Sequence, residues 1–157
     1  MTRLKTLIPA FGFVLLAITG CQEVAKTNSD APGSTTNPTV ETPTNTAAKS
    51  SQDDAASKIR RDQLNSDIRA REQRNNTTNQ GGASNRSDTD LASEVRSKLE
   101  VNLPASALAV TAKDGAVMVT GTVPTQAQFD RISGLAKEIK GVSAVTMKVA
   151  VAPAKKN

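Results

Sequence analysis

Most apolar residues of this chain fall in two stretches, residues 7–18 and residues 91–151, and that division limits what can fold. A length of 157 residues would allow one ordinary domain. The region between the two stretches, however, holds little to bury. Val24 and Val40 are the only branched aliphatics between residues 22 and 54, where Thr, Asn, Ser, Ala and three prolines (Pro32, Pro38, Pro43) dominate. Such a segment cannot offset the entropy of being ordered, and as a coil it would span on the order of 30 Å. It is expected to be a disordered linker. The sequence has no His and one Cys, which excludes a Ser–His–Asp triad, a Cys–His pair and a tetrahedral zinc site. No enzyme activity, metal or cofactor is expected.

The first apolar stretch has the marks of an export signal. Arg3 and Lys5 precede Leu7–Ile18, and Thr19-Gly20-Cys21 follows. A basic start, a short apolar core and small residues at the cut define a secretory signal over residues 1–20. A spanning helix needs roughly 20 apolar residues, and this run is shorter and contains Pro9. Ile18-Thr19-Gly20-Cys21 resembles the lipobox of bacterial lipoproteins. The resemblance implies cleavage before Cys21, diacylation of its sulfur and acylation of the new amine. Two or more acyl chains make a durable membrane anchor where one does not. Gln22 resembles the residue that follows the cysteine in lipoproteins sorted to an outer membrane, where the organism has one. The other reading is a secreted protein with a free thiol. Removing residues 1–20 would lower the net charge from +5 to +3, too little to argue for a nucleic-acid partner.

Residues 55–74 are rich in helix formers, uninterrupted by Gly or Pro. Leu64 and Ile68 share a side of the expected helix while Ile59 lies opposite, so no clean amphipathic face forms. Lys58, Arg60, Arg61, Arg69, Arg71 and Arg74 outnumber Asp62, Asp67 and Glu72. Two readings follow: a basic docking segment for anionic lipid, cell-wall polymer or an envelope protein, or a solvated charged spacer. Asn- and Gly-rich residues 75–89 read as a second linker.

Residues 90–151 are expected to be the folded domain, with a tail at 152–157. Asp90 can cap a helix in which Leu91, Val95 and Leu99 form one stripe. Capping also accounts for Asp88 and Asp90 better than a metal-binding loop does. Leu108, Val110 and Ala112 alternate as a strand, and Asp114-Gly115 turns the chain into a second strand carrying Val117, Val119 and Val123. Gly121 within it points to a bulge or a close backbone approach. Thr125-x-x-Gln128 reads as a capping box for a helix whose apolar face is Phe129, Ile132, Leu135, Ala136 and Ile139, with Gly141 as its C′ stop. Val145, Met147, Val149 and Val151 alternate as a third strand. The expected fold class is α+β: an α-β-β-α-β domain with two helices on one face of a three-stranded mixed sheet.

This order resembles the BON domain, a module of bacterial envelope and osmotic-stress proteins. The residues that carry the likeness are the first-helix stripe, Asp114-Gly115, the Val-x-Val-x-Gly-x-Val run from Val117 to Val123, and Ala-x-x-Ile-x-Gly-Val-x-x-Val from Ala136 to Val145. The family is thought to bind membranes or phospholipids, and the resemblance supplies no catalytic residue. On a helix with about 100° per residue, Lys140 and Lys137 fall about 20° and 80° from Phe129. A ring flanked by lysines suits anionic head groups; the alternative is that Phe129 is core and the lysines only solvate the helix. The expectation is an exported, periplasm-facing lipoprotein whose BON domain engages anionic phospholipid and supports envelope integrity under osmotic or other stress. The alternative is a structural tether that grips cell-wall polymer or an envelope protein through the Arg-rich segment.

Overall fold

The computed structural model describes residues 24–39 and 42–153. The expected signal at 1–20, the expected lipid attachment at Cys21, Gln22 and the end of the tail lie outside the described residues. The elements are β1 (Ala25–Lys26), α1 (Asn45–Ala56), α2 (Lys58–Thr78), α3 (Asp88–Asn102), β2 (Ala107–Lys113), β3 (Ala116–Val123), α4 (Gln126–Lys137) and β4 (Ala144–Val151). They build one sheet of order β1-β2-β3-β4, antiparallel at the first two pairings and parallel between β3 and β4.

The expected α-β-β-α-β order is present as α3-β2-β3-α4-β4. Leu91, Val95 and Leu99 of α3 and Ile132, Leu135 and Ala136 of α4 share a core with Leu108, Val110, Val117, Val119 and Val123. Those strand residues alternate, so both helices cover one face of the sheet. Asp114 and Gly115 both take positive φ (49° and 81°), the backbone a two-residue hairpin needs. Gly121, at φ 125°, sits where an added Cβ would come within 2.0 Å of Ala107 O. The β2–β3 register runs unbroken past it, so this glycine serves a close approach rather than a bulge.

Several details differ from expectation. The sheet has four strands, because β1 pairs with the edge of β2 inside the stretch expected to be a linker. Composition argued against order there, but an edge strand needs backbone partners more than apolar area. Thr27 N donates to Leu108 O (2.8 Å), and Thr27 Oγ1 accepts from Leu108 N (2.8 Å) and donates to Ser106 O (3.1 Å). Thr35 Oγ1 meets Thr111 Oγ1 at 2.9 Å. Helix α1 begins within that stretch and runs two residues past it to Ala56, capped by Thr44, whose hydroxyl accepts from Ala47 N. Helix α2 runs on to Thr78, into the expected second linker.

The caps shift too. Ser87, not Asp90, caps α3 by accepting from Asp90 N. Thr125 caps α4 as expected, but Gln128 donates to Pro104 O (3.0 Å) instead of closing the box. Helix α4 ends at Lys137 with Glu138 as its cap. Gly141, at φ 97°, therefore belongs to the following turn and is not C′.

Candidate functional site

Many charged groups among the described residues meet on the outer side of α3, where α2 lies antiparallel to it. Arg60 Nη2 meets Glu100 Oε1 at 2.6 Å, and Arg96 Nη1 meets the other oxygen of Glu100 at 2.8 Å. One turn along, Asp67 accepts from Arg71 Nε (3.1 Å), Ser97 Oγ (3.0 Å) and Arg96 Nη2 (3.4 Å). Further on, Asp90 Oδ1 takes Arg71 Nη1 at 2.6 Å and Arg74 Nη2 at 2.8 Å. Leu64 is the one apolar residue of α2 that is fully buried, and Ile59 is 71% exposed. Burial opposes ionisation of Asp67, but hydrogen bonds from Arg71 and Ser97 and the charges of Arg71 and Arg96 outweigh it, leaving its carboxyl below the ordinary range. The Arg74 hydrogen bond, working against desolvation and with Arg71, does the same for Asp90.

Where α2 turns into α3, a buried knot replaces this half-exposed seam. The Arg86 side chain is 2% exposed and Glu94 is 0% exposed, with Nη2 and Oε1 at 2.5 Å. Arg86 Nη1 also donates to Glu72 Oε1 (2.8 Å) and Lys140 O (2.5 Å), and the Lys140 ammonium donates to Gly81 O. The ends of α2, α3 and α4 are thereby tied at one point. Glu94 Oε2 and Arg86 Nε have no hydrogen-bond partner. Burial pushes the Glu94 carboxyl up to about 7, against the pull of Arg86. An open cavity of 480 Å³ lies beside the knot, lined in part by Asn85, Arg86, Leu91, Gly115 and Gly141.

Of the residues singled out from sequence, Arg60, Arg71 and Arg74 are engaged with acids of α3 and do not form a free basic face. Arg61 is exposed, and Arg69 is exposed with Nη2 on Ser66 Oγ at 2.9 Å. Phe129 is half-buried and packs against the core. Lys137 is exposed, with no hydrogen bond or ion pair among the described residues. Lys140 is not beside Phe129 on a helix; it lies past the end of α4, in the turn bound to Gly81. The expected trio of Phe129, Lys137 and Lys140 therefore does not assemble as one helical patch. Sequence reasoning missed Arg86 and Glu94. The signal for Glu94 was its place in α3, beside Val95 and one turn from Leu91 on the stripe read as apolar.

The family model described as "BON domain" matches residues 87–153. The Osmotically-inducible protein Y of Escherichia coli (strain K12) is 40% identical over 60 residues, covering 37% of this chain and 30% of that protein. The match thus spans under a third of that relative's length. No solved structure matches. The family match begins at Ser87, the N-cap of α3, so the seam with α2 lies just outside the matched region on one side and inside it on the other.

Proposed function

We propose, from the BON domain that this chain carries at residues 87–153, that the protein is a lipid-anchored envelope module whose BON domain engages anionic phospholipid. It is a binding protein, not an enzyme, and it supports the envelope under osmotic stress, as the name of its Escherichia coli relative suggests.

The observation that carries this reading is the place of β1. Ala25 pairs with Val110 and Lys26 with Ala109, so the chain is bound to the sheet four residues after Cys21. Four extended residues reach about 14 Å at most. A lipid on Cys21 then holds the sheet edge near the head groups, not on a leash of tens of ångströms. Lys137 offers an exposed ammonium with no carboxylate against it. Docking through the Arg-rich segment would rest on Arg61 and Arg69, since Arg60, Arg71 and Arg74 are already paired.

The test is co-sedimentation of residues 22–157, which carry neither the expected export signal nor Cys21 and so have no acyl anchor. Vesicles of phosphatidylglycerol with phosphatidylcholine are compared with phosphatidylcholine alone at low and near-physiological salt. Binding to the anionic vesicles alone, weakened by Lys137→Glu and untouched by Arg61→Glu with Arg69→Glu, is the expected result. Equal sedimentation with both vesicles, or with neither, overturns the reading. Loss in the arginine variant alone returns the function to the Arg-rich segment.

A further inference from the structure

The two edges of the sheet are unlike. At one edge β1 covers part of β2; at the other, β4 has β3 on one side and, among the described residues, no strand on the other. β4 is eight residues long and carries one charge, Lys148. Long edge strands of this kind are ready templates for another strand. Ala152 N donates to Val123 O at 2.9 Å, and Val123 is in register with Val151. Alternation along a parallel ladder then turns the backbone groups of Val145, Met147, Val149 and Val151 toward the open edge. The side chains of Val145, Met147 and Val149 pack on the core but stay half-buried, and Val151 is 40% exposed, whereas Val117, Val119 and Val123 of β3 are at most 2% exposed.

The sequence of this edge indicates its occupant. Ala144-Val-Thr-Met-Lys-Val-Ala150 reads nearly the same in both directions about Met147, with Thr146 and Lys148 the one mismatch. Two antiparallel copies related by a twofold axis through the sheet place residues of the same face opposite each other. Centred on Met147, the pairs are Val145 with Val149, Ala144 with Ala150, and Thr146 with Lys148. Centred on Lys148, two ammonium groups would oppose each other, which is destabilising. Centring on Thr146 or earlier shortens the overlap. Charge and length together select Met147.

We propose that two copies of this chain join edge to edge through β4, antiparallel about Met147, into one continuous sheet. This goes beyond the lipid reading and needs no membrane. Thr146 and Lys148 are exposed on the face away from the helices, so both can be changed without touching the core. The test is sedimentation equilibrium of the full chain under reducing conditions, with circular dichroism to confirm folding. Thr146→Glu sets a carboxylate against Lys148 of the other copy at two symmetric positions and should tighten the dimer about tenfold; Thr146→Lys should loosen it about tenfold. Adding Lys148→Glu to Thr146→Lys should restore it. A chain that stays monomeric at the highest concentrations overturns the proposal. So does a dimer on which the glutamate and lysine variants act in the same direction, or one that the double variant fails to restore.

Discussion

Helix α3 has two sides, and different physics holds each. Toward the sheet, Leu91, Val95 and Leu99 are fully buried among the side chains of β2, β3 and α4. Toward α2, the contacts are half-exposed ion pairs around the single buried Leu64. Apolar burial is not weakened by charge screening, whereas exposed ion pairs contribute about 0–1 kcal/mol each and are screened. The comparison teaches that α2 is a cover held by charge on a domain held by packing. Arg86 and Glu94 are the exception, because their charges are buried where the two regimes meet.

The comparison breaks most sharply at that meeting point. Arg86→Gln leaves Glu94 buried without its cation and should cost about 3–5 kcal/mol at pH 8, measured by urea unfolding. The loss should shrink at pH 5, where Glu94 takes up a proton. On the packed side, Leu99→Ala should cost about 2–5 kcal/mol, with the same loss at low and high salt. On the charged side, Asp90→Asn removes the carboxylate that Arg74 pairs with and one of the two that hold Arg71. It should cost about 1 kcal/mol, and hydrogen exchange should accelerate along α2 while β3 stays protected. Raising salt to 1 M, where the screening length falls to about 3 Å, should act on α2 in the same way; equal loss from β3 would dissolve the distinction. Arg61→Ala and Arg69→Ala should stay within about 0.5 kcal/mol of the parent.

Acidity sharpens the same contrast. Because the folded chain holds the Glu94 proton up to about pH 7, this group's contribution is fully present below its ordinary value of 4.5 and is lost as pH rises toward 7. Asp67 and Asp90 are shifted down, so their contribution is present above their ordinary 3.8 and is lost as pH falls below it. Stability should peak between about pH 4 and 5, and Glu94→Gln should abolish the decline on the alkaline side only. Urea midpoints across the pH range check both.

The packed half was legible because periodicity reports it directly. Leu91, Val95 and Leu99 at helical spacing, alternating valines and Asp114-Gly115 each specify a local geometry, and the local geometries agree. The charged half was not, because a pair such as Arg71 and Asp90 leaves no periodic trace. Counting charges in residues 55–74 suggested a basic surface, and the acids that neutralise it lie on another helix. One trace was available: partners move down α3 as they move up α2, from Arg60 with Glu100 to Arg71 with Asp90, the mark of an antiparallel hairpin. Order at β1 was illegible for a different reason. Thr27 joins the sheet through its backbone and hydroxyl, which hydrophobic composition does not weigh.

The seam between α2 and α3 also sets how this sequence can drift. An apolar position such as Val95 can change alone to a residue of similar volume, but Asp90 answers to Arg71 and Arg74 together. A descendant that loses Asp90 gains by losing the arginines, and one that reverses a sign must reverse the opposite sign across the seam. Joint substitution of positions 60 with 100 and 71 with 90 would therefore be the inherited signature of a retained cover. Independent change at those positions would mark lineages in which the packed domain has shed it.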